Sequence, residues 1–147
     1  MTGETQMLIA ETSVVAAAEP GAVWALWADV GSWQEWDEGI EWCRVDGPFA
    51  AGTTGMLKPA GGPRVRFTLL DVQPGRGFRD RSHLPFASLD FTHTLEPVEG
   101  GVRITHRVEA AGPLGWLFAR LMGPGMRAGL PATVRALAAR AEARAAA

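Results

Sequence analysis

Tyrosine is missing from the 147-residue chain, and cysteine occurs once, as Cys43. A lone cysteine excludes an intramolecular disulfide and any metal site built from several thiolates, and it fits a reducing compartment. No stretch approaches the ~18 uninterrupted apolar residues of a membrane-spanning helix. The opening Met1-Thr2-Gly3-Glu4 lacks the cationic and apolar regions of a secretory signal. The expectation is a cytoplasmic protein without a transmembrane segment. Strong charge of one sign is also lacking. The net charge is −2, so nothing offers nucleic acid the clustered cationic surface its phosphates demand. No low-complexity linker or repeat divides the sequence, so residues 1–147 are read as one domain. With 47% hydrophobic and 20% charged residues, a chain of this length folds around a single core without a disulfide or structural metal.

The charge that is present is unevenly spread. Residues 1–50 hold Glu4, Glu11, Glu19, Asp29, Glu35, Asp37, Glu38, Glu41 and Asp46 against Arg44, whereas residues 113–147 hold Arg120, Arg127, Arg135, Arg140 and Arg144 against Glu142. Two solvated faces of opposite sign are the simplest reading, with a protein-docking module as an alternative.

Residues 8–17 are β-rich and end at Glu19-Pro20-Gly21, where proline suits a first helical turn because its missing N–H needs no partner. Val23, Leu26, Trp27 and Val30 follow at helical spacing. Gly31-Ser32 then closes that helix and caps a second short one carrying Trp33 and Trp36. Strand-like runs occupy 40–46, 53–58, 64–73, 77–84, 87–97 and 101–110, divided by turn residues such as Gly61-Gly62-Pro63, Pro74-Gly75 and Glu99-Gly100-Gly101. The last two runs form the clearest hairpin. Leu89, Phe91, His93 and Leu95 alternate with polar residues, as do Val102, Ile104, His106 and Val108 on the next run.

After Gly112-Pro113 a helical tail shows one apolar stripe at Leu114, Leu117, Phe118 and Leu121 and another at Leu130, Val134, Leu137 and Ala141. Met122-Gly123-Pro124-Gly125 is expected to break it, and to hinge there for ligand passage. Strands joined by short turns pair antiparallel, and the long stripe needs a surface to cover. A curved sheet gripping one helix satisfies both and leaves space between them.

In this order and spacing the chain resembles the START-like superfamily, in particular the SRPBCC group of polyketide cyclases/dehydrases and lipid-transport proteins. The residues that carry the resemblance are Pro20-Gly21-Ala22-Val23-Trp24; Trp27-Ala28-Asp29 with Ser32-Trp33 and Trp36; and Leu70-Asp71-Val72-Gln73-Pro74-Gly75. Thr94-Leu95-Glu96-Pro97 through Gly101-Val102-Arg103-Ile104-Thr105 and Gly112-Pro113-Leu114-Gly115 complete it. The resemblance implies an α+β helix-grip fold: a curved seven-stranded antiparallel β-sheet around a long C-terminal helix, two short helices after strand 1, and an internal cavity for an apolar ligand. It implies no single reaction.

His93 and His106 are the candidates for proton transfer, because imidazole titrates near neutrality and both lie in inward registers. Each is equally readable as a satisfied core histidine. Asp80 joins them as a candidate acid if Phe78 and Leu84 face inward. In the opposite register Arg79 and Arg81 become anchors for a ligand carboxylate or phosphate. Two histidines and a carboxylate suit zinc or iron in principle, but no local ligand spacing supports a metal, and no cofactor is expected. The acids Asp29, Glu35, Asp37, Glu38 and Glu41 lack calcium-loop spacing and read as a solvated rim.

Trp24, Trp27, Trp33, Trp36 and Trp42 crowd into residues 24–42, and flat aromatic walls suit acyl or polycyclic ligands. The expected lining is Trp27, Trp33, Trp36, Phe67, Leu69, Phe91, His93, His106, Leu117, Phe118 and Leu121. Aromatase/cyclase relatives place an arginine late in the strand matching 64–73 and a tyrosine after the second short helix. Leu70 or Val72 and Ile40 stand there instead, which favours a drier pocket. The expected partner is a small hydrophobic molecule and the expected state a monomer or homodimer. The alternative is a cyclase/dehydrase working through His93, His106 and Asp80.

Overall fold

A computed structural model describes residues 6–146. Strand β1 (Met7–Ala16) leads into α1 (Pro20–Ala28) and a 3-10 helix (Val30–Glu35). Six strands follow: β2 (Ile40–Val45), β3 (Thr54–Pro59), β4 (Val65–Gln73), β5 (Gly77–Leu84), β6 (Ala87–Val98) and β7 (Gly101–Ala111). One long helix, α2 (Gly115–Ala146), ends the chain. The strand limits agree with the turn residues to within about a residue, because Gly and Pro leave few places for a ladder to continue.

The seven strands form one antiparallel sheet in the order β1-β7-β6-β5-β4-β3-β2. In the β6–β7 hairpin Phe91 pairs with Val108, His93 with His106 and Leu95 with Ile104, so alternation puts all six on one face. Phe78 pairs with His93 and Asp80 with Phe91, which carries the same inward face onto β5 and leaves Arg79 and Arg81 on the other. Arg81 there grips the buried Asp90 through Nε (2.7 Å) and Nη2 (2.9 Å).

Two expectations are corrected. The second short helix, a 3-10 helix, carries Trp33 but not Trp36, which lies just past its end and donates its N–H to Trp33 O. Trp33 anchors the segment by donating Nε1–H to Trp27 O at 2.9 Å.

The second correction concerns α2, which runs unbroken through Pro124 and Pro131. A proline inside a helix costs about 3 kcal/mol, yet packing on both sides of Pro124 opposes a break. Ala119, Met122, Met126 and Leu130 all lie on the cluster of Ile9, Ala10, Leu89, Val108 and Ala110. Val134, Leu137, Ala138 and Ala141 continue the same face into the main core with Ala16, Val23, Leu26 and Trp27. Breaking the helix at Pro124 would unseat the half-buried Met122 or Met126, each holding part of the about 1.5–3 kcal/mol that full burial of such a side chain brings. The first stripe is therefore rotated from the expected one, with Leu121 68% exposed on the outer face, while the second, of Leu130, Val134, Leu137 and Ala141, faces the sheet as expected.

Candidate functional site

Alternation on three neighbouring strands brings Phe78, His93 and His106 side by side on the inner face of the sheet. Phe78 stacks on His93 with ring centroids 3.9 Å apart and 7° between planes. The two imidazoles meet edge to face at 4.5 Å. The segment after β1 folds over them. Trp27 lies 5.6 Å from His93 and 5.8 Å from His106, Trp33 6.5 Å from His93, and Trp36 6.2 Å from His106. Phe67, one strand further, stacks on Trp33 at 6.4 Å.

Polar atoms inside this ring lack partners. Trp27 Nε1, Trp36 Nε1, Asp80 Oδ1, His93 Nδ1 and His106 Nε2 are buried without a hydrogen bond, as is Arg79 Nε on the opposite face of β5. His93 Nδ1 is 3.8 Å from Asp80 Oδ1, too long for a hydrogen bond. Electrostatics agree with a site that rejects net charge. Burial, reinforced by the negative charge of Asp90, raises the Asp80 carboxyl to about 8, so it is protonated at neutral pH. Burial lowers His106 to about 3, and burial with the neighbouring His106 holds His93 well below its ordinary value. Neutral imidazoles accept or donate through different ring nitrogens, and a protonated carboxyl donates, so the cluster holds proton donors and acceptors within one desolvated space. Asp90 differs. Burial alone would raise it, but the Arg81 guanidinium and Gln6 hold it below the usual carboxylate range.

Of the expected residues, Trp27, Trp33, Trp36, Phe67, Leu69, Asp80, His93 and His106 are buried, whereas Phe91 is half-buried beside the α2 cluster. Leu117 and Phe118 are half-buried, and Leu121 is turned to solvent. Phe78 was not among the expected lining residues, although its alternation with Asp80 and Ser82 pointed to it. The arginine-anchor register is overturned by the Phe78–His93 pairing. Cys43 is buried and its thiol is pushed up to about 12 by burial and by Asp80, so it is a poor nucleophile.

Two recesses open to solvent, one of Leu8–Thr12 with Arg127, Leu130 and Pro131, the other of Leu26, Asp29, Ser32, Glu35, Arg140, Ala143 and Arg144. Neither borders the ring of indoles and imidazoles. Among the described residues no group of three or more His, Cys, Asp or Glu is placed to hold a metal ion. No helix among them is long and apolar enough to cross a membrane.

Several solved structures share this architecture. The di-domain aromatase/cyclase StfQ of the steffimycin biosynthetic pathway superposes with a TM-score of 0.76 at 14% identity, over 98% of this chain and 52% of that one. This chain thus spans about half of that relative. The Zhui aromatase/cyclase from Streptomyces gives 0.70 at 17% identity, covering 97% and 96%. A norcoclaurine synthase point mutant from Thalictrum flavum, in complex with a transition-state analogue, gives 0.71 at 14% identity, covering 98% and 99%. At such identities the likeness speaks for the fold. Among curated proteins none matches the sequence significantly. The family described as polyketide cyclase/dehydrase and lipid transport matches residues 7–142, and the chain, with its seven-stranded sheet closed over one C-terminal helix, belongs to that family.

Proposed function

We propose that this protein binds a small, mostly apolar molecule of acyl, lipid or aromatic polyketide-like character between the sheet and α2, with a polar group of the ligand directed at His93, His106 and Asp80. The observation that carries this reading is the set of five unpartnered polar atoms inside the aromatic ring. A buried polar atom without a partner costs about 1–3 kcal/mol, and a ligand hydroxyl or carbonyl supplies the missing bonds. Because the rings touch one another, the ligand enters by displacing indoles of the 24–36 segment rather than by filling a preformed void. Native mass spectrometry of the protein purified from its own host tests this. A co-purified small molecule released on denaturation is expected. Bare protein that also fails to bind acyl-chain and polycyclic probes would overturn it.

The second reading is a cyclase/dehydrase step. What supports it is the 4.5 Å approach of His93 and His106 beside Asp80, which pairs a base for a carbon acid with a donor for the enolate oxygen. His93→Gln and His106→Gln should each abolish turnover and leave ligand affinity within a few fold; unchanged rates exclude it. The docking-module reading has less support, because Arg140 of α2 pairs with Glu35 at 3.1 Å, so the two charged faces partly neutralise each other within the molecule.

A further inference from the structure

The large apolar side chains left in solvent are not scattered. Among the described residues they are Met7 (42% exposed), Leu8 (54%), Val15 (48%), Phe86 (76%), Trp116 (54%) and Leu121 (68%). All but Val15 gather at one end of the molecule. Met7 pairs with Ala110, Ala110 with Leu89 and Ser88 with Ala111, which sets the start of β1 beside the β5–β6 turn. Leu114 N–H donates to Phe86 O at 2.9 Å, tying that turn to the start of α2 and to Trp116.

Phe86 itself adopts φ +56, alone among the non-glycine residues described. The left-handed region disfavours a bulky side chain, and such strain persists where surrounding structure or function demands it. Here the strained ring is also the most exposed of the set, so burial within the chain does not explain it.

The charge around this end is lopsided. Among the described residues its acids are engaged: Asp90 by Arg81, and Glu11 and Glu109 by Arg107. Arg120 and Arg127 lie on exposed positions in the first half of α2. Neither pairs with a carboxylate among the described residues, Arg127 donating instead to Ile9 O. From Gly115 to Ala141 the helix carries no acid.

We propose that this end of the molecule docks on an anionic phospholipid surface, with Phe86, Trp116 and Leu121 entering the headgroup–acyl boundary and Arg120 and Arg127 meeting lipid phosphates. Exposed aromatic rings beside exposed arginines suit the headgroup–acyl boundary of an anionic bilayer. Tryptophan favours the interfacial zone, and an apolar edge flanked by arginine is the pattern of a surface-lying membrane contact.

Co-sedimentation of the full-length protein with phosphatidylcholine/phosphatidylglycerol vesicles tests the proposal, phosphatidylcholine vesicles serving as the neutral comparison. Binding to the anionic vesicles only, weakened by salt, is expected. Phe86→Gly relieves the left-handed strain and so keeps the fold, yet should weaken vesicle binding about tenfold through loss of one apolar anchor. Trp116→Ala should do the same and Val15→Ala, at the other end, nothing. Equal binding to neutral vesicles, or a Phe86→Gly variant that binds like the parent, overturns the proposal. So does a dimer in sedimentation analysis that Phe86→Gly dissociates while vesicles fail to bind, since the face would then be a contact between copies.

Discussion

Asp80 links the inner cluster to a measurable pH profile. Burial and the nearby Asp90 raise its carboxyl to about 8 in the fold, against 3.8 in an exposed chain. Between those values the folded protein keeps a proton that the unfolded chain has released, so stability falls as pH rises. The histidines work the other way. His106 is held at about 3 and His93 well below 6.5. Below pH 6.5 the unfolded chain therefore binds protons that the folded one refuses, and stability climbs toward that pH. From pH 6.5 to 8.0 the unfolded imidazoles shed their remaining charge and the two histidines still return about 0.8 kcal/mol, while Asp80 removes about 1.6 kcal/mol, so linkage takes away a net of about 0.8 kcal/mol. The Cys43 thiol, pushed up to about 12 from 9, contributes little over this window. Asp80→Asn has no proton to hold there, so its urea-unfolding free energy should rise by about 0.8 kcal/mol from pH 6.5 to 8.0 through the histidines while the parent declines. Parallel profiles for the two proteins would refute the assignment of a neutral, buried carboxyl.

Other substitutions probe the frame around the site. Arg81→Gln leaves Asp90, whose side chain is 1% exposed, without its guanidinium and should destabilise by about 3 kcal/mol in denaturant titration; a loss near zero would mean that the pair is energetically idle. Gly55→Ala would drive a Cβ into Arg44 O and the Phe67 ring, so a drop of about 2 kcal/mol or more is expected, and an unshifted midpoint would show that β3 and Phe67 are not so tightly opposed. Pro124→Ala restores a helix bond without disturbing the sheet-facing stripe and should raise the unfolding midpoint; a lower midpoint would argue that α2 is broken there after all.

Sequence alternation made the β6–β7 hairpin readable, because a single register turns Leu89, Phe91, His93 and Leu95 inward and their polar neighbours to the other face. On β5 it failed: Arg79, Asp80, Arg81, Ser82 and His83 are polar on both faces, and only pairing with β6 decides which side turns in. On α2 the pattern offered two successive stripes, and only the second faces the sheet as read. Leu117 and Leu121 are apolar enough to be taken for core, but Met122 and Met126 face the sheet instead. Helical periodicity tells which residues share a face, while the partner surface tells which face wins. The close contacts among Trp27, Trp33, Phe78 and His93 were out of reach for the same reason, since pointing inward does not reveal how near the rings come. The strain at Phe86 had no sequence signal, the turn offering neither Gly nor Asn where the backbone turns left-handed.

The strand order carries a consequence for biosynthesis. Strands β2 to β7 each pair with the next in sequence, but β1 pairs only with β7, as Val14 with Ile104 and Ala16 with Val102. The first strand made is therefore the last to find its place. Until the ribosome has passed Ala111, the segment holding Leu8, Ile9, Val14 and Val15 has no ladder to join, and once β7 forms, its outer edge stays open until β1 returns. Closing that long loop should set the pace of folding, and the waiting edge is where two unfinished chains would most readily pair with each other.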